Sequence, residues 1–288
     1  MVKIVNPSQR ILSTFDGMEV LRRIEEIGRV SYQSEPKMIR QYETAINNED
    51  DDERVSLLSK VREDAVDTIV TLYNRYGRNY TDDYPDRDLR DMVIDASALK
   101  FANMIAERKH FSVFEHWSVS VDFINDRGVT HEEVRHRIAS FTQESTRFCN
   151  YGNDKYGREI TVIKPIFFDE DKYEDKGVLV PTITGEMKEV FSKFAVWLNC
   201  MEQCEYHYML LTDMGCSAQE ARDLLPNSLK SEIVISANLR EWSDVIIPLR
   251  TGAPAHPQMK EVMIPLQADF RKRIAVIFDE RLPKIEQK

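Results

Sequence analysis

The sequence predicts an α+β fold in which an antiparallel sheet is flanked by helices and elaborated by a helical insertion. Three observations lead there. Val119, Val121 and Phe123 alternate strictly with Ser118, Ser120 and Asp122, the period of a half-buried strand. Val190, Phe194, Trp197, Met201, Cys204, Tyr208 and Leu211 recur at helical spacing and draw an apolar stripe along 186–211. No Gly-x-Gly-x-x-Gly follows a strand and no Gly-x-x-x-x-Gly-Lys loop occurs, so Rossmann and Walker phosphate sites are not expected.

Taken in order, 1–14 reads as a short strand and loop, and 16–29 as a helix begun by Asp16. From 36 to 95 the chain is highly charged, with NNEDDDER at 47–54 and a tyrosine-rich turn region at 73–84. Val61, Ala65, Thr68, Ile69 and Leu72 sit at helical spacing there, so part of it is expected as an amphipathic helix. A further helix at 99–109 leads into the alternating strand, which the turn Asn125-Asp126-Arg127-Gly128 ends. Thr130 with Glu133 reads as a capping box, so a helix should open at His131 and carry basic residues on its early turns. Ser, Thr and Gln then replace helix formers, and the backbone is expected to leave the helix. A polar loop at 151–157 precedes strand candidates at 160–166 and 178–183, with an acidic loop at 169–176 between them. The striped helix from 186 should end at Gly215. Ser217 with Glu220 caps a short helix that Pro226 stops, 233–236 is a β-branched strand, and Asn238 with Glu241 forms a third box. Pro257 starts a final amphipathic helix, with a kink expected at Pro265.

At 288 residues and 42% hydrophobic content the chain can bury a sizeable core. A formal charge of -10 and a pI near 5.2 argue against a general nucleic-acid binder. No apolar run approaches the roughly 20 residues of a membrane span, and MVKIVNPSQR lacks the apolar core of a signal peptide; a cytoplasmic protein without membrane contact is expected. Cys149, Cys200, Cys204 and Cys216 show no paired CxxC spacing, which points to free thiols and no metal site.

Against that acidic background 135–147 packs Arg135, His136, Arg137 and Arg147 beside Ser140 and Ser145, a density of positive charge that calls for an anion. Arg135-His136-Arg137, seven residues, then Ser145, continued by Arg147-Phe148, resembles the signature of flavin-dependent thymidylate synthases. Further stretches resemble that family: Val30-Ser31-Tyr32, His110-x-Ser112-x-Phe114-Glu115-His116, Arg222 ahead of Leu225-Pro226, Asn238-x-Arg240, and Leu249-Arg250 followed by His256-Pro257-Gln258. Together they run from about 31 to 258.

The resemblance implies methylation of dUMP at uracil C5, with methylenetetrahydrofolate as carbon donor, FAD as redox carrier and NADPH as reductant. It implies a homotetramer whose active sites draw on several subunits, and one domain over 1–288 in which 36–95 is an inserted surface region. Residue by residue it places Ser31, His110, Ser112, Glu115, Arg135, His136, Arg137, Asn238, Arg240, Asp244 and His256 at the flavin. Glu132, Arg135, Gln143, Glu144, Ser145, Thr146, Arg147, Arg222 and Arg250 fall to the nucleotide, with Arg147 and Arg222 on its phosphate. Arg250 is the catalytic candidate, a fixed cation beside the pyrimidine. Ser145 reads as a substrate hydrogen-bond donor, because His136 is nine residues away and no acid is placed to orient it. Gln143 stands where some relatives have Glu, and Glu132 replaces a neutral or basic residue.

The chain also departs from the pattern in 238–250. That span is one residue longer than expected, Pro248 falls where a helix should be running, and Asp244 replaces the usual Asn or His, so the backbone there must bulge or break. A non-catalytic nucleotide- or flavin-binding protein on the same scaffold is the alternative that these departures keep open.

Overall fold

A computed structural model describes residues 2–13, 16–76 and 87–278. The chain forms two compact units, one from Met1–Leu12, Ser120–Ser236 and Ala253–Met263, the other from Ser13–Val119, Ala237–Gly252 and Ile264–Lys288. The fold is α+β, as the patterning predicted.

In the first unit β1 (Lys3–Val5) pairs in parallel with β5 (Thr161–Ile163), and a four-stranded sheet takes the order β2 (Ser8–Ile11), β3 (Ser118–Asp126), β8 (Lys230–Asn238), β4 (Ser140–Gln143). The pairs β2/β3 and β4/β8 are antiparallel. Val119, Val121 and Phe123 of β3 are buried as expected, but the alternation is incomplete: Asp122 is buried as well, because the neighbouring strand β2 covers it and Arg10 donates to its carboxylate (3.0 Å). A helix, α6 (Lys193–Asp213), lays Trp197, Met201 and Tyr208 onto Tyr151, Ile160, Val162 and Leu229. The Tyr208 hydroxyl accepts the Tyr151 amide (3.2 Å), so a fully buried ring has its polar tip satisfied.

Two expectations fail here for identifiable reasons. Helix α6 starts at Lys193 rather than 186, because Ser192 caps it by accepting the Ala195 amide, while Met187–Val190 forms β7 and pairs antiparallel with β6 (Val178–Pro181). The turn that makes this hairpin is Thr182 to Gly185, whose φ of +84 glycine adopts without penalty. Likewise the helix expected from His131 is α5 (Arg127–Glu133), capped by Asp126 and finished before the arginines begin. Thr130 lies inside it with its hydroxyl donated to the Arg127 carbonyl (3.0 Å), and Glu133 is buried and accepts from Asn125 (2.7 Å).

The second unit is helical. α1 (Gly17–Tyr32) is begun by Asp16, which accepts the Met18 amide (2.8 Å). With α2 (Lys37–Ile46) and α3 (Asp51–Arg75) it packs on α4 (Leu89–Glu107), longer than the 99–109 expected and buried around much of its circumference. The helix expected in the charged stretch is therefore α3, while the tyrosine-rich turn region runs into 77–86, outside the described residues. Asp95 is fully buried, yet Arg22 and Arg87 each reach it at 2.6 Å; two guanidiniums compensate the removal of one carboxylate from water. A 3₁₀ turn (Phe111–His116) follows α4.

The 238–250 segment resolves the predicted conflict by widening. Asn238 accepts the Glu241 amide (2.8 Å), Glu241–Ile246 winds as a π-helix in which the Ile247 amide reaches back to Trp242, and α8 (Ile247–Thr251) continues past Pro248. A π turn holds one more residue than an α turn, and is the bulge that the sequence called for. Trp242 anchors it, fully buried with its indole N–H on the Val119 carbonyl (3.1 Å). Finally α9 (Pro257–Arg273) runs through Pro265, and α10 (Ala275–Phe278) stacks Phe278 on Phe270 at 4.5 Å.

Gly28 of α1 sits so close to α4 that an added Cβ would lie 2.6 Å from the Phe101 ring and 3.2 Å from Val113 Cγ1. Ala is the better helix former by about 1 kcal/mol, but overpacking costs about 1–3 kcal/mol. Gly28→Ala is therefore expected to lower the thermal midpoint by a few degrees; an unchanged or higher midpoint in calorimetry would show that Phe101 yields freely.

Candidate functional site

In the first unit the basic segment begins where α5 ends. The Arg135 and His136 amides close the last turn onto the Glu132 and Glu133 carbonyls, which leaves the Arg135 and Arg137 side chains exposed and His136 buried. β4 then fixes Gln143, whose amide nitrogen donates to Thr130 Oγ1 (2.9 Å) and Ser231 Oγ (3.0 Å). Glu144 turns inward. Its carboxylate accepts from the Tyr151 hydroxyl (2.8 Å) and Lys230 Nζ (2.9 Å), so it braces β4 against β8 rather than facing solvent. Burial pushes the Tyr151 hydroxyl far up, and Glu144 beside it adds to the shift, so this tyrosine stays a donor.

Ser145 opens a tight turn. Its carbonyl accepts the Phe148 and Cys149 amides, its hydroxyl accepts the Arg147 amide (3.3 Å), and Thr146 is buried behind it. Arg147 lies over the Phe148 ring at 5.5 Å and donates through Nε to Gln219 Oε1 (3.2 Å). Gln219 belongs to the short helix α7 (Ala218–Ala221), whose capping box, Ser217 with Glu220, is present as expected. Arg222, three residues after Gln219, caps the end of α7 and opens a 3₁₀ turn (Arg222–Leu224). The structure thus brings Arg147 and Arg222, 75 positions apart, to one small helix. Both are exposed.

At the start of α5 lies a cavity of about 210 Å³ lined by Asp126, Glu132, Asn227, Ser228, His256 and Gln258. Asp126 caps α5 through the Val129 amide (2.7 Å) and accepts from Gln258 Nε2 (2.6 Å). Its pKa is raised by burial, a shift that these bonds and the nearby His256 oppose without cancelling. The His256 ring meets Phe167 edge-on at 5.6 Å, and its Nδ1 is buried with no hydrogen-bond partner among the described residues. Sequence reasoning named Asp126 only in a turn and Gln258 only in a motif, and gave neither a site role. The available signal was an Asp at the end of a strand, three residues before a buried apolar residue, a cap pattern that competes with Thr130.

In the second unit the candidates gather at the junction of the 3₁₀ turn and the π-helix. Arg240 donates to Glu115 and lies 3.6 Å from Asp244, one guanidinium between two carboxylates. Asn238 spends its oxygen on the Glu241 amide and keeps its NH₂ group available. Burial raises the pKa of Glu241; Arg240 works against this and Asp244 with it. Arg250 is half-buried on α8, while Ser31, His110 and Ser112 are exposed, Ser31 on the last turn of α1. Among the described residues no helix is long and apolar enough to cross a membrane.

Three comparisons bear on this arrangement. The family model described as "thymidylate synthase complementing protein" matches residues 15–274. A flavin-dependent thymidylate synthase of Corynebacterium glutamicum is 32% identical over 173 residues, 59% of this chain and 64% of that one. Another from Geobacter sulfurreducens is 27% identical over 155 residues, 54% and 57% of the two chains. The chain thus spans about three fifths of the length of these curated relatives. The crystal structure of PolB from Streptomyces cacaoi, a UMP/dUMP methylase bound with 5-Br dUMP, superposes with a TM-score of 0.54 at 17% identity, covering 96% of this chain and 95% of that one. That likeness concerns the fold.

The Asp126 shift has a consequence with a definite sign. A folded-state pKa above 3.8 means that its contribution to stability is fully present below that value and is lost as pH rises through the folded pKa. Asp126→Asn keeps a capping oxygen, and the Gln258 amide can turn over to match it. The thermal midpoint of the variant relative to the parent should rise between about pH 4 and 7; a relative midpoint that falls over this range would refute the assignment.

Proposed function

Because the chain belongs to the thymidylate synthase complementing protein family, we propose that it is a flavin-dependent thymidylate synthase. It would methylate dUMP to dTMP with methylenetetrahydrofolate as carbon donor and NADPH as reductant. One observation carries this reading: the Ser145 turn tethers Arg147 to Gln219 of the short helix α7, which Arg222 directly follows, in a protein of net charge -10. Guanidinium forks suit a nucleotide phosphate, and the Ser145 hydroxyl, two residues before Arg147, supports this as a hydrogen-bonding group. Gln143, Glu132 and Thr146 flank this turn as nucleotide contacts. The bracing of Glu144 by Tyr151 and Lys230 supports a positioning role for it instead of contact.

The second-unit cluster has the donor set that a flavin ring requires. The free amide of Asn238 and the guanidinium of Arg240 can donate to carbonyl oxygens, and Glu115 can accept an imide N–H; Ser31, His110 and Ser112 add exposed polar groups. FAD bound there would supply the hydride that reduces the transferred carbon. Arg135, His136, Arg137 and His256 are the further flavin contacts in this reading. Asp244 adds a carboxylate beside Arg240, and so moderates the positive charge offered to the flavin. Arg250 keeps one cation near the pyrimidine, where it stabilises negative charge as C5 becomes nucleophilic. No thiol is needed for this, and Cys204 is poorly suited to attack because burial raises its pKa. Assembly as a homotetramer in the cytoplasm, with sites shared among subunits, completes the proposal.

Purified protein should be yellow, with flavin absorbance, and should release tritium from C5-labelled dUMP when NADPH and methylenetetrahydrofolate are present. Arg250→Ala should cut turnover by about two to three orders of magnitude while FAD stays bound. Loss of FAD from that variant would reassign Arg250 to the cofactor, and dUMP binding without tritium release by the parent would favour a non-catalytic binding protein.

A further inference from the structure

Gln143 closes β4, and its pairing with Ile233 puts its side chain on the same face of the sheet as Ser231, two residues before Ile233 on β8. Thr130 of α5 reaches that face, and Thr130 and Ser231 are both buried. The Gln143 amide nitrogen donates to the two hydroxyl oxygens, at 2.9 Å to Thr130 and 3.0 Å to Ser231, which uses both of its hydrogens.

A side-chain amide can be turned over with little change of shape, so its sense has to come from its neighbours. Here Thr130 decides it. The Thr130 hydroxyl has one hydrogen and donates it to the Arg127 carbonyl at 3.0 Å, an oxygen that can only accept. Toward Gln143 the hydroxyl therefore offers lone pairs, and only the NH₂ end of the amide can meet them. Turned the other way, two acceptors would face each other in a buried place. The Gln143 oxygen accordingly points away from Thr130; it accepts from no described residue and is not enclosed. What remains is an acceptor of fixed direction on a half-buried residue, two positions before Ser145.

We propose that Thr130 and Ser231 are positioning residues for substrate recognition: they lock Gln143 with its oxygen toward the nucleotide, so that this position demands a hydrogen-bond donor. The inference rests on the synthase reading above. In dUMP the available donors are the uracil N3–H and the sugar 3′-hydroxyl. A ligand that brings only a lone pair to the same place sets acceptor against acceptor and is rejected. A glutamate at 143 could not be held in this way, since a carboxylate has no hydrogen to give Thr130. The glutamine is thus a working part of the lock.

The test is isothermal titration of the full chain, carrying its flavin, with three ligands: dUMP, N3-methyl-dUMP, which lacks the ring donor, and 2′,3′-dideoxy-UMP, which lacks the sugar donor. The parent should bind one analogue about tenfold more weakly than dUMP, and the analogue affected identifies the donor. In Thr130→Val, which keeps the shape and removes the hydroxyl, that ratio should fall to about twofold with flavin absorbance unchanged. Thr130→Ser restores the hydroxyl and should restore the parent ratio. If circular dichroism shows Thr130→Val unfolded, Ser231→Ala serves the same comparison. A purely structural role would weaken all three ligands alike and leave the ratio where it was; that result overturns the proposal, as does a parent that binds both analogues as well as dUMP. If dUMP binds and the ratio does not respond, the lock fails and the synthase reading stands. If the parent does not bind dUMP, the synthase reading fails and the proposal with it.

Discussion

One buried carboxylate organises the basic segment of this protein. Asp126 ends β3, and its side chain both caps α5 and holds Gln258 at the start of α9. Because the cap falls at Asp126, α5 is over by Glu133 and the arginines emerge in a turn and a strand rather than on a helix. A continuous helix would have spread Arg135, Arg137 and Arg147 around its circumference at 100° per residue. Ending it early instead lets β4 pair with β8 and carry Ser145 to the edge of the sheet, where Arg147 can reach α7.

Much of this was legible in advance, and the exceptions share a cause. The α6 stripe, the Asp16 cap and the Ser217 capping box all rest on interactions within a few residues, and each is present. Thr130 and Glu133 satisfy the same local pattern but are claimed by distant or buried partners, Gln143 and Asn125. Local spacing cannot reveal that competition, because Gln143 lies 13 positions away. The 186–211 stripe continued periodically through Val190, yet the hairpin with β6 wins that residue, since the Gly185 turn returns the chain before Ser192 can start a helix. At the site, the signature residues could be listed from sequence, whereas the tether from Arg147 to Gln219 could not, because it spans 72 positions. The same holds for the inward turn of Glu144 toward Lys230.

Charge is managed differently in the two units. In the second, most of the cations discussed are answered by the protein itself: Arg22 and Arg87 by Asp95, Arg29 by Glu25, Arg240 by Glu115 and Asp244. Such pairs hold a guanidinium in a defined orientation, which matters for recognising a flat heterocycle. In the first, Arg135, Arg137 and Arg222 stay exposed, the arrangement expected where a mobile anion is to be the partner.

The widened turn at Glu241–Ile246 also bears on how such a chain can change over generations. An insertion inside an ordinary helix twists everything downstream by about 100°, and would carry a residue such as Arg250 off its face. Here the surplus residue is swallowed as local slack, while Trp242 pins the coil on the Val119 carbonyl. A wide turn can therefore take up one residue more or less while the helix beyond keeps its aim, so this segment tolerates a change of length that a regular helix would not.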